Sequence, residues 1–165
     1  MEPSSDNSLN ILFVCLGNIC RSSMAEGTFR QVAAVADLDN ALTIESAGTG
    51  HWHVGNPPDE RAQQASLSRG RDISRQRAQQ VTRQLLDNSD LILAMDESNL
   101  IEIQTILDVS DHHKVRLFLE FSSASMETEV PDPYYGGSEG FEHVLDLIES
   151  ASAGLLDHCR TALGK

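Results

Sequence analysis

Cysteine and aromatic residues are scarce in this chain: three cysteines, five Phe, two Tyr and one Trp in 165 residues. Two of the cysteines, Cys15 and Cys20, stand five positions apart, which is no framework for a disulfide-stapled secreted domain. Positive charge is also short, with 12 Lys and Arg against 25 Asp and Glu and a net charge of −13. That balance argues against nucleic acid or an anionic membrane as partner. No apolar run approaches the length that spans a bilayer, and Met1–Ser8 is polar and acidic rather than a signal peptide. Repeats and low-complexity tracts are missing too. These absences leave the expectation of a soluble, cytoplasmic chain, without membrane insertion, in which a reactive thiol stays reduced. With 40% apolar content, 165 residues suffice for one α/β domain with an ample core.

The few cysteines sit in an informative place. Cys15-Leu16-Gly17-Asn18-Ile19-Cys20-Arg21-Ser22 follows an apolar run (Leu9, Ile11, Leu12, Phe13, Val14) and precedes a helix-patterned segment opening at Ser23-Met24-Ala25-Glu26. A strand, a tight loop and a helix N-terminus in that order form an anion cradle, because backbone N–H groups converge and the helix dipole favours negative charge. Gly17 allows close backbone approach, and Asn18 tolerates left-handed backbone angles. A thiol at the head of the loop and a guanidinium six residues on set it apart from a nucleotide-binding loop. A thiolate facing an oxyanion-sized nest reads as a nucleophile for phosphoryl transfer. The competing reading is a buried structural Cys at a strand end, the common fate of a free thiol. It leaves the Gly, Asn and Arg around Cys15 unexplained.

Taken in order, residues 1–8 read as a disordered tail and residues 9–165 as one domain. Residues 9–15 are apolar nearly throughout, as suits a central parallel strand covered on both faces. Met24, Phe29, Val32 and Ala33 fall at helical spacing, before a turn at 37–40. Leu42 and Ile44 alternate with Thr43 and Glu45 in a short second strand. After a loop over 48–58, Pro57-Pro58-Asp59 opens a helix that Gly70 ends. The spacing of Ala78, Val81 and Leu85 predicts a helix over 75–87, followed by a buried strand at 91–94. A helix over 97–107 and a last strand over 114–119 come next. Residues 120–137 form a loop long enough to suggest function. Phe141, Val144, Leu145, Ile148, Ala151, Leu155 and Cys159 then mark a terminal helix, with Cys159 in its core stripe. Strands alternating with helices imply an α/β single domain: a four-stranded parallel sheet with helices on both faces and a phosphate-binding loop after the first strand. Ligands bind beyond the carboxyl ends of such strands, where Cys15 and the loops at 48–57 and 120–137 belong.

The run VCLGNICRSSMAE resembles the phosphate-binding loop of the low-molecular-weight protein tyrosine phosphatases. The likeness continues through ESAGTGHW, VGNPPDERA, DLILAMDESNL and DPYYGG, over nearly the whole chain. The resemblance implies hydrolysis of phosphotyrosine and aryl phosphates through a phosphocysteine. It implies phosphotyrosine proteins as partners, a tyrosine kinase among them, and a monomer or weak dimer. No cofactor and no metal are expected, since Cys15 and Arg21 supply nucleophile and charge, and the six histidines show no metal-ligand spacing.

Within that frame Cys15 is the nucleophile. Arg21, planar and always charged, grips two phosphoryl oxygens in a way lysine does not. Ser22 donates its hydroxyl to the thiolate and also reads as the N-cap of the following helix. Asn18 braces the loop through its amide or is a plain turn residue. Leu16, Gly17, Ile19, Cys20 and, from the second strand, Ser46 complete the expected phosphate-binding and supporting set. One carboxyl must act as acid to the leaving group and then as base to water. On the residues alone Asp132, between two prolines, is either that carboxyl or a turn-type Asp; in the resembling family the Asp-Pro-Tyr motif carries the acid. Trp52, Tyr134 and Tyr135 lie in loops and read, with Leu16, as walls of a slot for a phenyl ring.

The resemblance also implies a reversible Cys15–Cys20 disulfide, against the reading of Cys20 as small buried filler. His51 and His53 flank Trp52 and read either as solvated loop residues or as side chains that touch a substrate. Two positions depart from the family pattern: Ser23 stands where a proline commonly follows Arg-Ser, and Gln76 where many members carry a loop-supporting histidine. The nearest alternatives are a phosphoarginine phosphatase, which carries threonine at the place of Ile19, and an arsenate reductase, which needs further cysteines. None lies between Cys20 and Cys159. A phosphate-binding module without turnover would lack Cys15, Arg21 or Asp132, and all are present.

Overall fold

A computed structural model describes residues 7–165; of the expected tail, residues 1–6 lie outside the described residues. Four parallel strands, β1 (Leu9–Cys15), β2 (Leu42–Gly48), β3 (Leu91–Ala94) and β4 (Val115–Leu117), stand in the order β2-β1-β3-β4. The central place of β1 accounts for its composition. Ile11, Phe13 and Cys15 face one core, while Leu12 and Val14 face the other.

Helices cover both faces. α1 (Arg21–Val35), α2 (Glu60–Ser68) and α5 (Ser138–Leu163) enclose the larger core; α3 (Arg83–Asp87) and α4 (Glu97–Ile106) enclose the smaller. Phe13 sits edge-to-face with Phe29 and Phe118, ring centroids 5.9 and 5.0 Å away. Burying a side chain of this kind stabilises by about 1.5–3 kcal/mol. The predicted stripe of α5 is buried throughout, and burial pushes the Cys159 thiol up to about 12.

The segment before α3 departs from expectation. The helix predicted over 75–87 is confined to Arg83–Asp87, and Ala78 and Val81 are buried on an extended stretch. Gly48 N–H donates to Gln79 O and Gly48 O accepts from Val81 N–H, both at 2.8 Å. Ala78 N–H donates to Asn56 O at 2.9 Å, and Gly55 N–H donates to Ala78 O at 2.8 Å. A helix would have used the backbone groups of Ala78, Gln79 and Val81 internally; here tertiary partners claim them. The last strand is also shorter than the expected 114–119, because the chain turns into a 3₁₀ helix over Phe118–Phe121.

The loop after β2 closes onto the loop after β1. Thr49 N–H donates to Cys15 O at 2.9 Å and Gly50 N–H to Leu16 O at 2.8 Å. A Cβ on Gly48 would lie 2.8 Å from Leu16 O, so only glycine fits this approach. No helix among the described residues is long and apolar enough to cross a membrane.

Candidate active site

β1 delivers Cys15 to the C-terminal edge of the sheet, and residues 16–20 turn the chain into α1. The turn runs through Asn18 at φ 59°, a region that costs Asn less than most side chains. Asn18 N–H lies 3.3 Å from Cys15 Sγ. The Asn18 amide is fully used: Oδ1 accepts from Gln79 N–H at 3.0 Å, and Nδ2 donates to Ser22 Oγ at 2.7 Å and Ser46 Oγ at 2.9 Å. Ser22 Oγ stands 3.1 Å from Cys15 Sγ. Ser46 donates onward to Glu26 Oε1 at 2.6 Å, and Arg30 Nε holds Oε2 at 2.9 Å. A hydrogen-bonded chain therefore runs from the thiol to a buried carboxylate on α1.

Ser22 is not the N-cap expected from the sequence. α1 begins two residues earlier than that cap implies, at Arg21, after Cys20, and no side chain caps it. The first-turn N–H groups are left without a side-chain acceptor, as an anion site requires.

Arg21 is only 3% exposed. Its Nη1 donates to Asp96 Oδ2 at 2.7 Å and to Val130 O at 3.0 Å, and its Nη2 lies 3.7 Å from Asp132 Oδ2. Burial pulls its pKa down, but a Cys15 thiolate and the Asp96 carboxylate outweigh that and hold it above its ordinary value. Asp96 is itself fixed as the N-cap of α4, accepting from Asn99 N–H at 2.8 Å.

A pocket of about 350 Å³ is lined by Cys15, Leu16, Gly17, Ile19, Cys20, Arg21, Trp52, His53, Asp132, Tyr134 and Tyr135. Trp52 stacks on His51, ring centroids 5.5 Å apart, and Tyr134 meets Tyr135 edge-on at 5.0 Å. Tyr134 N–H donates to Asp132 Oδ1 at 3.0 Å, which holds the carboxylate beside the pocket. Burial, reinforced by Asp59, pushes the Cys20 thiol far above its ordinary value. Among the described residues no three or more His, Cys, Asp or Glu side chains gather in a way that could hold a metal ion.

A thiol under a helix N-terminus, a buried arginine and a carboxylate on one aromatic-walled pocket can hold and attack a phosphoryl group. The family model for low molecular weight phosphotyrosine protein phosphatases matches residues 10–165. The chain belongs to that family. It is 40% identical over 148 residues to the low molecular weight protein-tyrosine-phosphatase YfkJ of Bacillus subtilis, covering 90% of this chain and 94% of that one. A low molecular weight phosphotyrosine protein phosphatase of Schizosaccharomyces pombe is 44% identical over 135 residues, covering 81% and 86%. A crystal structure of a protein tyrosine phosphatase from Entamoeba histolytica matches with a TM-score of 0.91 and 36% identity, covering 93% of this chain and 98% of that one.

In this member of the phosphatase family, the residues expected to form the slot share one pocket, while Asn18, Ser22 and Ser46 lie behind Cys15. Three contributors were not singled out from the sequence, although Asp96 and Glu26 lie within the runs that carry the family resemblance. Asp96, Glu26 and Gln79 look like ordinary surface residues until the sheet brings them to Arg21, Ser46 and Asn18. Of the two readings of His51 and His53, a solvated loop residue suits exposed His51, whereas His53 is half-buried in the pocket wall where a substrate would pass, its ring 6.4 Å from that of Tyr134. Gln76 donates to Ser23 O at 3.0 Å, so its amide braces the first turn of α1, and its Oε1 is buried without a partner.

Proposed function

We propose that this chain is a protein tyrosine phosphatase hydrolysing phosphotyrosine and aryl phosphates through a phosphocysteine on Cys15, residues 9–165 forming the phosphatase domain. The observation that carries the reading is the convergence on one pocket of Cys15, Arg21 and Asp132 under aromatic walls. The names of its relatives support the same reaction.

In the first step the Cys15 thiolate attacks phosphorus, an S–P bond forms, and the ester P–O bond breaks. Asp132, protonated, gives its proton to the departing phenolate. Asp96 and Val130 hold Nη1 of Arg21, which leaves Nε and Nη2 as a fork for two phosphoryl oxygens. The backbone N–H groups of Leu16 to Ser22 take the remaining charge. In the second step the Asp132 carboxylate takes a proton from water as its oxygen attacks phosphorus, and the S–P bond breaks. The Ser22 hydroxyl, 3.1 Å from Sγ, stabilises the returning thiolate. Asn18, Ser46 and Glu26 hold that hydroxyl in place.

Trp52, His53, Tyr134, Tyr135 and Leu16 form a slot deep enough that a phenyl ring carries its phosphate to Cys15, whereas a serine side chain holds its phosphate too near the backbone. The partners are then phosphotyrosine proteins, a tyrosine kinase among them, met in the cytoplasm by a monomer or weak dimer. Turnover of p-nitrophenyl phosphate tests the reaction. Cys15→Ser should abolish it while still binding vanadate; retained turnover in that variant overturns the mechanism.

A further inference from the structure

Asp132 rides on a segment that is firmly attached on one side. Upstream, Val130 is fully buried; its N–H donates to Met95 O at 2.8 Å and its carbonyl accepts from Arg21 at 3.0 Å. Downstream, Pro133 is buried, but Tyr134, Tyr135, Gly136 and Gly137 are exposed until α5 buries Phe141. Some other contact must hold this stretch over the pocket.

Arg61, in the first turn of α2, makes that contact. Its Nε and Nη2 donate to the two carboxylate oxygens of Asp59 at 3.0 and 2.9 Å. Asp59 N–H in turn donates to Ile19 O at 2.8 Å, so the ion pair is fastened to the phosphate loop itself. The remaining nitrogen, Nη1, donates to Gly136 O at 3.3 Å. The guanidinium also lies 5.5 Å from the Tyr134 ring centroid and 4.8 Å from that of Phe141, within cation–π range. Tyr134 N–H is the group that holds Asp132 Oδ1, at 3.0 Å. A continuous path therefore runs Ile19, Asp59, Arg61, Tyr134, Asp132. Arg61 itself does not line the pocket.

We propose that Arg61 is a positioning residue: by gripping Asp59 on the phosphate-loop side and Tyr134 and Gly136 on the acid-loop side, it sets the distance between Cys15 and Asp132 and so how well Asp132 delivers its proton. The inference rests on the reading of Asp132 as the general acid. The role suits arginine and not lysine, because the fork occupies Asp59 with two nitrogens and still leaves a third nitrogen and a flat face for the other loop.

The test is kcat/KM on a series of aryl phosphates of increasing phenol pKa, since an acid matters most where the leaving group is poor. Arg61→Ala should lose about 10- to 100-fold on phenyl phosphate, the usual effect of a misplaced catalytic group, and less than about threefold on the most acidic phenol. Arg61→Lys should fall between Arg61→Ala and the wild type, and it carries the same comparison if the alanine variant does not fold. Asp132→Asn serves as the reference for a lost acid, and the double variant should be no worse than Asp132→Asn alone. Vanadate affinity should stay unchanged in both Arg61 variants. Equal losses across all leaving groups, or losses that add to those of Asp132→Asn, overturn the positioning role. If Asp132→Asn is itself insensitive to the leaving group, the acid assignment fails and this inference with it.

Discussion

The side-chain amide of Asn18 donates to the hydroxyl of Ser22 at 2.7 Å. An amide N–H cannot accept, so Ser22 accepts there and its own proton is free for the Cys15 sulfur 3.1 Å away. Asn18 thus orients a hydroxyl that it could not replace, and adds its backbone N–H at 3.3 Å from the same sulfur.

Ser22→Ala removes a donor that matters most when sulfur departs from phosphorus. Hydrolysis of the phosphocysteine should slow by about 10²-fold, the usual effect of losing one such donor, with a smaller effect on its formation. Rapid mixing with p-nitrophenyl phosphate should then show a larger burst of nitrophenol than the wild type. Uniform slowing without a burst contradicts this role.

Asp96→Ala leaves a 3% exposed guanidinium without its closest counter-charge and strips α4 of its cap. The expected loss of unfolding free energy is about 3 kcal/mol, most of it from the stranded charge. Asp96→Asn, which can still cap the helix, should lose less. Urea unfolding measures both, and a loss below about 1 kcal/mol for alanine would show that Arg21 finds other compensation.

Peroxide should inactivate the protein reversibly. Burial pushes the Cys20 thiol far up, so Cys20 is not the first target; Cys15 is oxidised to the sulfenic acid, and the Cys20 thiol then displaces water to form a disulfide. Thiol reductant should restore activity in the wild type, while Cys20→Ser should oxidise beyond recovery. Peptide mass spectrometry that finds no Cys15–Cys20 crosslink in the inactivated wild type refutes the pairing.

Ile19 lines the pocket beside Cys15 and offers a guanidinium substrate no hydrogen-bond partner. A guanidinium N–H left unpaired against Ile19 costs about 1–3 kcal/mol, so phosphotyrosine should be preferred over phosphoarginine. Ile19→Thr should shift kcat/KM toward phosphoarginine on matched peptides. Comparable wild-type rates on the two substrates would overturn this specificity.

The sequence by itself determined what is encoded within a few neighbouring residues. The apolar run of β1, Gly17 and Asn18 in the turn, and Cys15 and Arg21 at its ends were all legible, because strand burial, backbone sterics and helix onset are local. The α5 stripe from Phe141 to Cys159 was legible for the same reason, as a helical period buried along its length. Tertiary structure alone decided the polar partners. Arg21 meets Asp96 across 75 positions, and Asn18 meets Gln79 across 61. The pairing of Gly48 with Gln79 and Val81 likewise overrode the helical spacing of Ala78, Val81 and Leu85. A buried polar group takes whichever partner the strand order sets beside it, and that order depends on how the whole chain crosses the sheet.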